Sequence, residues 1–127
     1  MKEKFIDRTQ TDEYARSKGK TTIAPEVLLT IIRLTTLNVP GVNRMSSVPG
    51  GVNRLFRRGY GEGVCIDIRD DVVYSDLYVV LQENYNIRDV GRQIQQSVAR
   101  VIIETVGMQV GRVNVHVEDI HYPPTLE

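Results

Sequence analysis

Two kinds of hydrophobic spacing divide the chain, one helical and one alternating. Ile87, Val90, Ile94, Val98, Val101 and Ile102 recur three or four residues apart, the longest helical pattern present. Asn86 precedes them as an N-cap, with Asp89 three residues on as a shortened capping-box acid, and Gly107 ends the run. An earlier helix is predicted from Pro25 to Asn38. Proline suits its first position, Glu26 complements the positive end of its dipole, and Val27, Leu28, Ile31, Leu34 and Thr35 supply an apolar stripe. Ala24 is a poor cap for it, and Pro40-Gly41 stops it.

The alternating segments predict strands. Val64, Ile66 and Ile68 alternate with Cys65, Asp67 and Arg69, and Asp70-Asp71 supplies a turn. Val72 to Gln82 follows, with Val73, Leu77, Val79 and Leu81 on one face and Tyr74, Asp76, Tyr78 and Val80 on the other. Strands joined so tightly form an antiparallel hairpin. Val113, Val115 and Val117 alternate with Asn114, His116 and Glu118 in a further strand, and shorter strands are expected at Lys20 to Ala24 and Val42 to Val48. The order is strand, helix, strand, hairpin, helix, strand. Two amphipathic helices and half-polar strands are best satisfied by an α+β two-layer sandwich, a mostly antiparallel sheet with both helices on one face. The other face, open to water or a partner, would carry Cys65, Asp67, Arg69, Tyr74, Asp76, Tyr78, Asn114, His116 and Glu118.

Composition fits one such domain. The chain has 127 residues, 41% hydrophobic and 25% charged, with no tryptophan and two phenylalanines, so its core is aliphatic. Residues 1–18 are polar and aperiodic and read as a flexible arm, residues 19–122 as a single domain, and 123–127 as a tail. Cys65 is the single cysteine, which excludes an internal disulfide and makes a cytoplasmic location the default expectation. The first residues lack the apolar core of a signal peptide, and no run of eighteen apolar residues occurs. Direct membrane insertion is therefore not expected, and any attachment would go through a partner.

Charge sharpens this picture. The formal net charge is +0, yet no carboxylate lies between Glu26 and Glu62, a stretch that holds Arg33, Arg44, Arg54, Arg57 and Arg58. Most of these arginines fall in a loop over residues 49–63, interrupted by Pro49, Gly50, Gly51, Gly59, Gly61 and Gly63. Such asymmetry points to a docking surface, with Arg44, Arg54, Arg57 and Arg58 as the partner-binding candidates. Anionic lipid headgroups could assist, at on the order of 1 kcal/mol per arginine. Tyr74, Tyr78 and His116 are the candidates for a self-association face.

Catalytic chemistry is harder to find. Asp70 and Asp71 suit turn hydrogen bonding better than metal binding. His116 and His121 lie five apart and are expected on opposite faces, unable to share a metal. Cys65 has no sequence neighbour that would lower its pKa. Gly59, Gly61 and Gly63 precede a strand, with no helix to receive a phosphate, so a flexible hinge is the favoured reading there. No cofactor or metal is expected. Nucleic acid is the alternative partner, since the arginine loop could contact phosphates and Tyr74 and Tyr78 could stack bases. Against it stand Asp67, Asp76 and Glu118 on the same face and a pI of about 6.7.

The segments GKTTIAPEVLLTII, VPGVNRM, GVCIDIRDDVVYSDLYVVLQENYNI and VGRQIQQSVARVIIETVGMQVGRVNVHVEDIHY, spanning about residues 19–122, resemble the alkaline shock protein family of envelope stress response proteins in Gram-positive bacteria. The resemblance implies a small α+β domain without known catalytic activity, cytoplasmic and often held at the inner side of the membrane by an anchoring partner. It also implies a homo-oligomer and a role in envelope homeostasis, some members being linked to fatty-acid synthesis. The start of helix one at Ala24-Pro25-Glu26 and the richness of the arginine loop depart from the family pattern. The combined expectation is a non-enzymatic, self-associating scaffold that docks to a membrane-anchored or biosynthetic protein.

Overall fold

The computed structural model describes residues 19, 21–48 and 59–124. The expected arm over 1–18, the candidates Arg54, Arg57 and Arg58, and the last three residues of the tail lie outside the described residues.

Helix α1 spans Pro25–Leu37, and its first turn hangs on the Ala24 carbonyl, which accepts from the Val27 and Leu28 amides; Ala24 supplies no side-chain cap. Strand β1 (Val42–Met45) follows, then β2 (Gly59–Gly61), β3 (Val64–Arg69) and β4 (Val72–Gln82). Helix α2 (Ile87–Val101) begins at Asn86, whose side chain accepts from the Asp89 amide at 3.0 Å, and it widens into a π-helical turn over Ile102–Val106 that Gly107 closes. Strand β5 (Gln109–His121) completes the order.

These five strands form one sheet, with β3 antiparallel to β4, β2 antiparallel to β3, β1 antiparallel to β4, and β5 parallel to β4. The parallel pair follows from the connection, since α2 carries the chain back across the sheet before β5 begins. β4 is the hub. One of its edges is given wholly to β5. Its other edge is divided, with β3 opposite Val72 to Leu77 and β1 opposite Val79 to Leu81. At the junction the Tyr78 amide donates to Gly63 and the Tyr78 carbonyl accepts from Ser46.

Both helices cover the same face. Leu28 and Ile32 of α1 and Val90, Ile94 and Val98 of α2 pack with Val64, Ile66, Val73, Leu77, Val79 and Leu81 in one aliphatic core. Each fully buried side chain of this size contributes roughly 1.5–3 kcal/mol. The buried polar groups on this side are satisfied locally: Thr36 donates to the Ile32 carbonyl at 2.8 Å and Ser75 to the Arg112 carbonyl at 3.3 Å.

The two-layer α+β sandwich and the β3–β4 hairpin are as predicted, but several details differ. Residues 21–24 form no strand; only Ile23 packs against the core, and β-branched residues alone do not make a strand without an edge to join. The buried stripe of α1 is Leu28, Ile32 and Thr36, while Val27 and Leu34 are each 50% exposed. Gly59 to Gly61, expected as part of a loop or hinge, pair with Ile66 to Val64 as β2. β5 runs well beyond Val113 to Glu118 because two bulges interrupt its alternation, one at Gly111 and one at Glu118.

The divided edge of β4 depends on Gly63. Its φ is +72°, and a Cβ there would lie 2.6 Å from the Ser46 carbonyl oxygen and 2.8 Å from that of Tyr78. The left-handed backbone and the backbone clash together cost about 3 kcal/mol, so Gly63→Ala is expected to lower the melting temperature by roughly 10 °C. In the β3–β4 turn both central residues have positive φ, Asp70 at 53° and Asp71 at 62°. Asp71→Gly should relieve that strain and stabilise the fold by about 1 kcal/mol. Thermal unfolding checks the first and denaturant titration the second.

Candidate functional surface

The register places one row of side chains along β4 on the face away from the helices: Tyr74, Asp76, Tyr78 and Val80. Beside them β3 contributes Asp67 and Cys65, β5 contributes Arg112, Asn114, His116 and Asp119, and β1 contributes Arg44, which sits opposite Val80. The candidates Arg44, Tyr74, Tyr78 and His116, widely separated in sequence, thus share one face.

Asp76 organises the centre of this face. His116 Nε2 lies 2.9 Å from Asp76 Oδ1, Asn114 Nδ2 donates to the same oxygen at 3.2 Å, and Arg112 sits 3.9 Å from Oδ2. A carboxylate that is only 7% exposed would be costly without such partners. The Tyr78 ring stacks on His116, with centroids 4.5 Å apart and planes at 12°. Towards the hairpin, Arg69 lies over the Tyr74 ring at 4.6 Å and pairs with Asp67 at 3.0 Å, while Arg112 approaches the same ring at 5.6 Å. Tyr74 also lies against the Gly111 bulge, where a Cβ would come within 2.4 Å of its ring. The bulge therefore makes room for the aromatic side chain.

This arrangement changes the expected open face. Its middle is closed: Cys65 is 0% exposed and Tyr78 6%, because interior strands place them between neighbouring rows of long side chains. Arg44 is exposed and donates to Asn43 Oδ1 at 3.1 Å, and Tyr74 and His116 are half-buried. What stays accessible on this face is thus Arg44 together with the rim around Tyr74, Arg112 and His116. His116 and His121 do not point to opposite faces. The Glu118 bulge shifts the alternation and sets His121 opposite Gln82, on the same side as His116 opposite Tyr78. Four residues of β4 separate the two, roughly 13 Å at strand rise. Among the described residues, no group of three or more His, Cys, Asp or Glu side chains is positioned to hold a metal ion. Arg112 and Asn114 are additions to the predicted candidates; the alternation places Asn114 on this face, but nothing local marks Arg112.

At the far end of the sheet an open cleft of about 810 Å³ is lined by apolar Leu28, Ile68 and Met108 and by polar Thr21, Asp70 and Asp71. It does not include the Asp76 cluster.

The model of the alkaline shock protein 23 family, described as having a cell envelope-related function, matches residues 13–122. The chain is 28% identical over 106 residues to the uncharacterized protein YqhY of Bacillus subtilis (strain 168), covering 82% of this chain and 78% of that protein. It is 22% identical over 106 residues to the uncharacterized protein YloU of the same organism, covering 80% of this chain and 88% of that one. Among solved structures, a double variant of MamM-CTD superposes with a TM-score of 0.49 at 10% identity, over 76% of this chain and 95% of that one. Among the described residues, no helix is long and apolar enough to cross a membrane.

Burial and the nearby Asp76 charge push the Cys65 thiol from its ordinary 9.0 up to about 11. Tyr78 is raised as well, by burial first and then by Asp76. At neutral pH the Cys65 thiolate is thus about a hundredfold scarcer than in the unfolded chain. Iodoacetamide is expected to label the native protein at least that much more slowly than the denatured one; comparable rates would contradict the buried position. Since the folded state keeps this proton longer, the stability it contributes is present below pH 9 and is lost as pH rises towards about 11. Cys65→Ala should flatten that part of the stability profile.

Proposed function

The chain belongs to the alkaline shock protein 23 family, whose function is cell envelope-related, and from that premise we propose that it is a non-catalytic interaction module that assembles with itself and docks onto a membrane-anchored or biosynthetic protein. The observation that carries this reading is the Asp76 network. Its donors are committed to one carboxylate, and its aromatic rings are held by stacking and cation–π contacts. Fixed charges and rings on a sheet face suit recognition, because little side-chain entropy is lost when a partner arrives. The neighbouring thiol is protonated and buried, which is the wrong state for a nucleophile.

Docking falls to Arg44 on this face and to Arg54, Arg57 and Arg58 in the sequence that follows β1. Charge steering by such a group raises association rates and weakens with salt. Self-association uses the rim around Tyr74 and His116, with Tyr78 acting from beneath by holding the His116 ring. A cytoplasmic position at the inner side of the membrane, reached through a partner, follows from the same reading. The acids Asp67 and Asp119 on this face argue against a nucleic-acid partner, Asp76 being buried and paired.

Affinity capture of the tagged full chain, with and without nuclease, tests this. Envelope or biosynthetic proteins should co-purify irrespective of nuclease, and an Arg54→Glu/Arg57→Glu/Arg58→Glu variant should lose them. Retention of the same partners by that variant contradicts the docking role, and partners lost with nuclease favour nucleic acid instead.

A further inference from the structure

β5 is a 13-residue strand bonded to β4 along one edge, and among the described residues no strand pairs with its other edge. Long free edges are normally blunted by lysine, proline, bulges or short length. The segment QVGRVNVHVEDIH contains neither lysine nor proline. Its bulges at Gly111 and Glu118 leave a regular stretch, Arg112 to Val117, between them.

Two hydrogen bonds fix which backbone groups face outward. The Arg112 carbonyl accepts from Ser75 of β4, whereas the Val113 carbonyl accepts from the Gln95 side chain of α2 at 3.1 Å. Backbone direction alternates along a strand, so Val113, Val115 and Val117 present their amides and carbonyls to the outer edge. Apart from the Val113 carbonyl, which Gln95 already bonds, such groups need a partner or water.

The sequence of this edge is complementary to itself when reversed. Set antiparallel about Val115, Val113 meets Val117, Asn114 meets His116, Val110 meets Ile120, and Arg112 meets Glu118. Of the two charged residues, Arg112 lies on the face of the Asp76 network and reaches Asp76, and Glu118 is the exposed residue of the second bulge. A twofold axis repeats the Arg112–Glu118 pair at both ends of the stretch, and the three valines continue the apolar layer beneath the helices of both copies.

We propose that the outer edge of β5 is the self-association site, pairing antiparallel with β5 of a second copy about Val115 to give a sheet continuous across the dimer. This deepens the self-association reading above and rests on it: the rim around Tyr74 and His116 flanks the seam, while backbone pairing sets the register.

Sedimentation of the full chain over a range of concentrations, with two variants, tests the proposal. Val115→Pro removes an outward amide and leaves the bonds to β4 in place, a position where an edge strand tolerates proline. Glu118→Arg places two arginines opposite each other at both ends of the seam. The expected result is a wild-type dimer, abolished by Val115→Pro and weakened roughly tenfold by Glu118→Arg. Circular dichroism establishes that each variant is folded, and if Val115→Pro is not, Glu118→Arg decides. An oligomer that both folded variants form as well as wild type does overturns edge pairing and leaves self-association standing. A monomer at every concentration overturns both.

Discussion

Strand β4 is hydrogen-bonded along its whole length on one edge and shared between two strands on the other, and most of the molecule is arranged around that fact. A strand so placed is screened from water on both faces, which is why Val73 through Leu81 include a nearly continuous buried series, with Tyr74 the half-buried exception. Dividing an edge between β1 and β3 requires their ends to meet without a gap. Gly63 meets that requirement with a backbone conformation and a closeness of approach that no side chain permits.

The two faces of β4 solve burial differently. On the helix side, aliphatic side chains simply exclude water. On the other side Asp76 sits in the middle of the strand, and its carboxylate is held by His116, Asn114 and the Arg112 guanidinium, all from β5. The parallel register of β5 therefore does more than extend the sheet. It brings to Asp76 the donors that make its burial tolerable, and it sets the outward edge of the same strand beside the charged face. The proposed partner surface and the sheet architecture are joined in one element.

Much of this is legible from residue spacing. α2 declares itself through strict periodicity and a working N-cap, and the β3–β4 hairpin through alternation on either side of Asp70-Asp71. α1 does not reveal its buried side, because VLLTIIRLTTL is apolar around most of its circumference and packing alone selects Leu28 and Ile32 over Val27 and Leu34. The bulges hide the ends of β5, since Val110 to Val113 and Val117 to Ile120 each step by three residues where an unbroken strand steps by two. Unbroken alternation puts His121 on the wrong face for the same reason. Cys65 reads as a polar-face residue because alternation reports which side a residue faces and not how deeply its neighbours cover it. The convergence of Arg112, Asn114 and His116 on Asp76 needs the parallel register, a long-range pairing that no local pattern encodes.

Residue-resolved hydrogen exchange on the native protein tests the central place of β4 most directly. The amides of Val73 to Leu81 should be the slowest in the molecule and should exchange only through global unfolding, with a common opening free energy equal to the stability measured by denaturant. If they exchange faster than the amides of α2, or open with a free energy well below the global value, β4 is not the element on which the rest depends.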